Sequence, residues 1–182
     1  MTYTQLRMRR TGLQIDPPPA PNLPEGYDLH EVLPEEESSL AEALQSAFPE
    51  YSWTPEEVVT RLTGASDVEA TFVITCGGRV AATASARHVP ELGEGVGYLH
   101  WVGAHFDHQG KRLGRAVSLA VMHYFRQQGC TDIVLDTDDF RIPAIRTYLG
   151  LGFAPEAGTP PDHAARWERV FCEVRRNRAA GG

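Results

Sequence analysis

The chain has 182 residues, ordinary apolar content and a formal net charge of −7, which predicts one soluble, folded enzyme-sized unit and excludes a broad, salt-dependent nucleic-acid binder. No long uncharged apolar run and no apolar leader precede the first polar residues, so neither a membrane span nor a signal peptide is expected. Cys76, Cys130 and Cys172 are scattered without a CxxC pair, which points to reduced thiols and a cytoplasmic setting.

Residues 1–26 carry Arg7, Arg9 and Arg10 and then Asp16-Pro17-Pro18-Pro19-Ala20-Pro21. Proline has no N–H and favours extended structure, so this stretch reads as a proline-rich arm outside the core, followed by a domain over 27–175 and a tail over 176–182. Tyr27 to Leu33 alternates as a first strand. Pro34-Glu35-Glu36-Glu37 suits a helix start, and Leu40, Ala43, Leu44 and Ala47 supply its apolar stripe. Thr54-Pro55-Glu56-Glu57 reads as the capped start of a second helix. Thr71 to Cys76 and Arg79 to Arg87 are strands about a Gly77-Gly78 hairpin turn. After a polar loop at Glu91 to Gly95, Val96 to Ala104 is a further strand. Leu113, Ala116, Val117, Ala120, Val121 and Tyr124 follow helical spacing, and Gly129 closes that helix. Asp132 to Asp136 is a buried strand, Ile142 to Leu149 a helix with Pro143 in its first turn, and Trp167 to Val174 a last strand. This order predicts an α/β (α+β) fold, a mixed central sheet with helices on both faces.

The chemistry concentrates at Gln109-Gly110-Lys111-Arg112-Leu113-Gly114-Arg115, between a strand and a helix. Helix-start N–H groups have no intrahelical partner, and the helix dipole favours an anion there. Cations at that end are unfavourable unless an anion offsets them, so Lys111, Arg112 and Arg115 favour a phosphate cradle over a merely solvated basic turn. Neither the P-loop pattern nor a GxGxxG fingerprint is present.

The segment from Tyr98 to Ala116 resembles the acetyl-CoA motif of the GNAT-type N-acetyltransferases, Gln/Arg-x-x-Gly-x-Gly/Ala after a strand. A second segment, Pro143-Ala144-Ile145-Arg146-Thr147-Tyr148-Leu149-Gly150-Leu151-Gly152-Phe153, resembles the family's A-I-x-x-Y-x-x-x-G-F stretch. The two occur in the family's order, and the likeness extends over roughly 27–175. Asp138-Asp139-Phe140-Arg141 before Pro143 resembles the branch that contains mycothiol-synthase-like proteins. The resemblance implies a GNAT fold, with about six to seven strands flanked by about four helices. It departs from the family at Arg112, which stands at the first motif glycine, where a side chain is tolerable if φ stays negative but crowds the pyrophosphate path, or else adds a phosphate or 3′-phosphate contact, and at Arg141, where the family often has asparagine.

What the resemblance implies is acetyl transfer from acetyl-CoA, a co-substrate, to an amine of a small-molecule acceptor by direct attack in a ternary complex, without metal. Backbone groups at Val102 and Ala104 would hold the pantetheine arm, and an N–H near Val102 would polarise the thioester. Gln109, Gly110, Lys111, Arg112, Leu113, Gly114 and Arg115 would take the pyrophosphate. Tyr148 matches the tyrosine that protonates the leaving thiolate; its other reading is a half-buried aromatic beside Ala144. His100, two residues before Val102 and on its face by strand alternation, is the candidate base, with an ordinary pKa near 6.5; its other reading is a structural histidine beside Trp101. Glu94, Asp136 and Asp138 are reserve bases. The resemblance puts Phe48, Tyr51 and Trp53 at the acceptor pocket, their other reading being packing between helices, and Glu91, Glu94, Asp138 and Asp139 near its mouth hint at a cationic amine, their other reading being ordinary surface carboxylates. His100, His105 and His108 lack a recognised metal spacing. The other functions that fit are a non-catalytic acyl-CoA-binding module and a protein N-acetyltransferase; no nucleic-acid or membrane partner is expected, and the chain is read as a monomer or homodimer.

Overall fold

Twelve elements follow the chain: β1 (Leu6–Arg10), β2 (Tyr27–Glu31), α1 (Glu37–Ala47), α2 (Pro55–Val58), β3 (Val68–Cys76), β4 (Arg79–Arg87), β5 (Val96–Ala104), α3 (Leu113–Gln127), β6 (Asp132–Thr137), α4 (Ile142–Gly150), β7 (Ala154–Pro155) and α5 (Asp162–Ala179). The structure, a computed structural model, describes residues 4–156 and 162–179. The strands form one mixed sheet in the order β2-β3-β4-β5-β6-β1-β7. Val73 belongs to one buried cluster, with Leu40, Leu44 and Trp53 of the α1–α2 region, whereas its neighbour Ile74 belongs to the other, with Val117, Val121 and Phe125 of α3. Successive strand residues face opposite sides, so helices cover both faces, as the element order predicts.

Local chemistry accounts for most elements. Gly77 and Gly78 both take positive φ, 58° and 76°, which is what a two-residue hairpin with matching twist requires. Thr54 caps α2 by accepting from the N–H of Glu57 at 3.3 Å. α2 then runs into a single π-helical turn at Val59–Thr63.

Two expectations are corrected, and they are linked. The arginine-rich start is not an arm outside the core. β1 lies between β6 and β7, antiparallel to both, with Met8 opposite Leu135 and also opposite Pro155. Leu6, Met8 and Leu13 are fully buried, each worth about 1.5–3 kcal/mol of burial. The signal was an alternating Leu6-x-Met8 pattern masked by three arginines, whose charges are met by Asp136, Asp132, Glu156 and Asp16. Conversely, Trp167 to Val174 is not a strand but the middle of α5. Trp167, Val170, Phe171 and Val174 recur at helical spacing, and that face packs on the main cluster. The tail from 176 is helical to Ala179; 180–182 lie outside the described residues, as do 1–3 of the arm.

The feature that positions the site is a divergence inside the sheet. β5 pairs with β6 in parallel only at Val96–Tyr98, opposite Asp132–Val134. Beyond Tyr98 the two strands part. On its other edge β5 stays paired to β4, except where His100 to Gly103 oppose only Ser85 to Thr83, a bulge. Trp101 sits in that bulge with φ 46°, an unusual conformation for so bulky a residue. Among the described residues no helix is long and apolar enough to cross a membrane.

Candidate active site

Where β5 leaves β6, its freed edge and the start of α3 enclose a cavity of about 360 Å³. Val102, Ala104, Gln109, Gly110, Arg112, Leu113, Gly114 and Arg115 all line it, with Tyr148 at one end. Lys111 is not among its lining residues and is exposed. The loop is held from below by Leu113, which is buried, and from the side by Arg115, whose Nη1 donates to the Gly150 carbonyl at 3.0 Å. The cavity therefore meets an unpaired strand edge, the opening N–H groups of a 15-residue helix and two guanidiniums.

Arg112 does not meet the condition under which a side chain is easily tolerated at that position. Its backbone is left-handed, φ 60° and ψ 21°. The preceding Gly110 also has positive φ, 78°, so the turn onto α3 needs two such residues and only one is glycine. Among the described residues Arg112 has neither a hydrogen-bond partner nor an ion-pair partner for its side chain.

A second cavity of about 370 Å³ opens further back along β5, between Tyr98–Val102 and the end of β6 at Asp136–Asp138. Val102, Arg141, Pro143, Ala144 and Tyr148 line both cavities and so form a common wall. Phe48, Tyr51, Trp101, Tyr98 and His100 supply its aromatic side. Trp101 is the hub, with Phe48, Tyr51 and Trp53 edge-on at ring separations of 5.0, 5.1 and 4.8 Å. Phe48 and Tyr51 thus line this cavity, whereas Trp53 is buried behind Trp101 and does not reach the space.

Of the carboxylates expected near the mouth, only Asp138 lines the cavity, joined by Asp136. Glu91 and Glu94 do not, and Asp139 is turned to Arg166, whose Nε donates to it at 2.9 Å. Asp136 accepts from Nε and Nη2 of Arg7, both at 2.8 Å, and from the Tyr98 hydroxyl at 3.1 Å. Asp138 accepts from Arg141 Nε at 3.1 Å and from Gln5 Nε2 at 3.3 Å. Both carboxylates that line the cavity are thus already hydrogen-bonded within the protein.

Tyr148, on the common wall, is buried, and burial pushes its phenol well above the usual value, with Arg141 pulling the other way. It stays protonated at any physiological pH. His100 lines the aromatic cavity with Val102, although the bulge at Trp101 interrupts the alternation that was to align them. Burial, aided by Arg87, lowers its pKa to about 4 against the opposing pull of Asp67 and Asp136. Its Nδ1 is buried without a hydrogen-bond partner among the described residues. His100 is thus a neutral imidazole and a weaker base than its sequence position suggested.

Among the lining residues, Gln5 was missed by sequence reasoning and Arg141 was noted there only as a departure from the family's asparagine. Gln5 reaches the cavity because β1 is in the sheet. Arg141 lines both cavities and spans them: it pairs with Asp138 on one side and Glu50 on the other, and stacks over Phe48 at 4.8 Å. His108 does not turn to His100; its Nδ1 meets the Tyr27 hydroxyl at 2.8 Å. Among the described residues no group of three or more His, Cys, Asp or Glu side chains is placed to hold a metal ion.

Comparison with known proteins agrees with this geometry. The sequence profile of the Acetyltransferase (GNAT) family matches residues 37–153, more than half of the chain. A mycothiol acetyltransferase of Pseudarthrobacter chlorophenolicus is 30% identical over 158 residues, covering 81% of this chain and 48% of that protein. One of Thermobispora bispora is 31% identical over 156 residues, covering 81% and 52%. The chain thus spans about half the length of these relatives. Among solved structures, a GCN5-related N-acetyltransferase from Sphaerobacter thermophilus superposes with a TM-score of 0.66 at 21% identity, over 85% of this chain and 50% of that one, a likeness of fold.

Proposed function

Because the chain belongs to the GNAT acetyltransferase family, we propose that it transfers an acetyl group from acetyl-CoA to the amine of a small-molecule acceptor, by direct attack in a ternary complex. The observation that carries this reading is the common wall: two cavities of similar size meet at Val102, Arg141, Pro143, Ala144 and Tyr148. Acetyl-CoA belongs in the cavity with the basic loop. Its pantetheine arm would lie along the free edge of β5 at Val102 and Ala104, and its pyrophosphate over Gln109 to Arg115, with Arg112 and Arg115 as cations and Lys111 at the rim. The acceptor belongs in the aromatic cavity. At about 370 Å³ that space suits a small molecule.

The chemistry follows from that placement. The amine nitrogen attacks the thioester carbonyl across the wall, and a C–N bond forms as the carbonyl oxygen becomes an oxyanion. A backbone N–H beside Val102 stabilises that oxyanion. Collapse breaks the C–S bond, and the thiolate takes the Tyr148 proton. The surplus ammonium proton returns through water to Tyr148. The buried phenol suits an acid because nothing ionises it beforehand. His100, neutral, accepts a hydrogen bond from the incoming amine and orients its lone pair.

The test is thiol release from acetyl-CoA over a panel of amines, with acetyl-CoA affinity measured alongside. Tyr148→Phe should lower kcat about 10²-fold, within the usual range for a general acid, and leave coenzyme affinity within about twofold. Coenzyme binding with no turnover on any amine, and no effect of Tyr148→Phe, would replace this reading by a non-catalytic acyl-CoA-binding module. Failure to bind acetyl-CoA would remove the coenzyme site itself.

A further inference from the structure

The segment that leads into the basic loop is fixed at three points. The His105 N–H donates to the Ala81 carbonyl of β4 at 2.9 Å, and the Phe106 N–H donates to Ser46 Oγ of α1 at 2.9 Å. The third point is a clasp between side chains. Tyr27, the first residue of β2, brings its hydroxyl to 2.8 Å from Nδ1 of His108, and the two rings meet edge-on at 5.6 Å. β2 is an outermost strand, so the clasp ties the edge of the sheet to the turn that opens α3.

His108 is half-buried and lines the coenzyme-side cavity, one residue before Gln109. Its Nδ1 faces Tyr27, and its Nε2 has no hydrogen-bond partner among the described residues. A phosphate oxygen only accepts, so a histidine that binds one must carry hydrogen on the nitrogen that meets it. In a neutral imidazole the partner of one nitrogen sets the role of the other. A phenol hydroxyl that donates to Nδ1 leaves the hydrogen on Nε2. The turn that follows holds Gly110 at φ 78° and Arg112 at φ 60°, a backbone that persists only where surrounding contacts fix it.

Resting on the acetyl-CoA reading above, we propose that His108 is a further ligand of the coenzyme, donating Nε2–H to its pyrophosphate, and that Tyr27 is the positioning residue that sets the tautomer and the ring by donating to Nδ1. The pair adds a directional, neutral donor to a site whose other side-chain donors are the guanidiniums of Arg112 and Arg115 and the amide of Gln109.

The test is a double-mutant cycle on acetyl-CoA binding, measured by calorimetry with the thermal midpoint of each variant alongside. His108→Ala should raise the acetyl-CoA Kd about tenfold, and Tyr27→Phe, which keeps the ring, about threefold. The double variant should bind no more weakly than His108→Ala, because Tyr27 acts through His108. His108→Gln, whose amide presents an N–H at a similar reach, should recover most of the loss. In phosphorus NMR of the bound coenzyme, His108→Ala should move the pyrophosphate signals and leave the 3′-phosphate signal in place. The His108 variants and this signal carry the test should Tyr27→Phe fail to fold. Unchanged affinity in His108→Ala, additive losses, a loss that His108→Gln does not recover, or unmoved pyrophosphate signals would overturn the proposal while leaving the coenzyme site intact. If the wild type does not bind acetyl-CoA, the coenzyme reading itself falls, and this contact with it.

Discussion

Arg7 on β1 holds Asp136 on β6 through two parallel hydrogen bonds, Nε to Oδ1 and Nη2 to Oδ2, each 2.8 Å long. The same pair joins the N-terminal strand to the middle of the sheet and neutralises a carboxylate on the acceptor-side cavity. Arg7→Gln keeps some of the aliphatic stem but removes the fork. The pair is only partly buried, with side-chain exposures of 34% and 16%, so the expected loss is about 1–2 kcal/mol, below the range for a fully buried pair. A shift of the urea midpoint with unchanged slope would report it.

This pair also marks the limit of what the sequence made legible. The middle of the chain could be read because local signals there agree: Gly77-Gly78 between β-branched runs, a 3.6-residue stripe from Leu113, and proline in the first turn of α4. β1 was hidden because its outward residues, Arg7 and Arg9, have counter-charges more than a hundred residues away, and because a third arginine, Arg10, is buried on the face of Leu6 and Met8 beside a proline run. Sequence distance hid the partners, so a buried strand resembled a basic arm. α5 failed the other way, since an apolar Trp167 to Val174 stretch fits strand or helix until its packing face is known. At the site, the loop residues other than Lys111 line one cavity, but Gln5 and Arg141 depended on contacts across the fold. The left-handed turn at Arg112 depended on backbone geometry that residue type alone contradicts.

Gly103 is set where α1 ends against β5. A Cβ there would stand 2.8 Å from both Ala47 Cβ and Phe48 Cε2, closer than real Cβ contacts come. Gly103→Ala should therefore destabilise the fold by about 1–3 kcal/mol, the usual range for overpacking. Because Phe48 lines the acceptor-side cavity, the acceptor KM should rise more than the acetyl-CoA KM. Gly114→Ala is the control, since a Cβ there meets nothing within 4 Å. It should leave the thermal midpoint unchanged or slightly raised. Equal effects of the two substitutions on stability would contradict this account.

His100 gives the molecule an acid sensitivity that can be signed in advance. Its folded pKa, about 4, lies below the ordinary 6.5 expected of the unfolded chain. Between those values the unfolded state binds the proton and the folded state does not, so stability falls as pH drops from 6.5 towards 4 and the group contributes no slope above that window. The loss at pH 5.5 relative to pH 7.5 is about 1 kcal/mol. His100→Asn removes the titrating group and should flatten this limb in urea unfolding series taken at both pH values. An identical wild-type and variant difference between the two would place the sensitivity elsewhere.

Arg112 sets stability against binding. A non-glycine residue in the left-handed region at φ 60° costs on the order of 1 kcal/mol, and among the described residues nothing bonds its side chain in return. Arg112→Gly relaxes that backbone, and the gain is partly offset by the greater freedom of glycine in the unfolded chain. The expected net effect is a rise in thermal midpoint of about 1–3 °C for a chain of this size. The same change removes a guanidinium from the lining of the coenzyme-side cavity. Acetyl-CoA affinity should fall about threefold to tenfold, and its dependence on salt should weaken, because one fewer cation faces the phosphates. Calorimetry and coenzyme titration at two ionic strengths separate the two effects. A variant that is more stable and binds acetyl-CoA as well as the wild type, with the same salt dependence, would show that the strained turn holds its arginine for something other than the coenzyme phosphates.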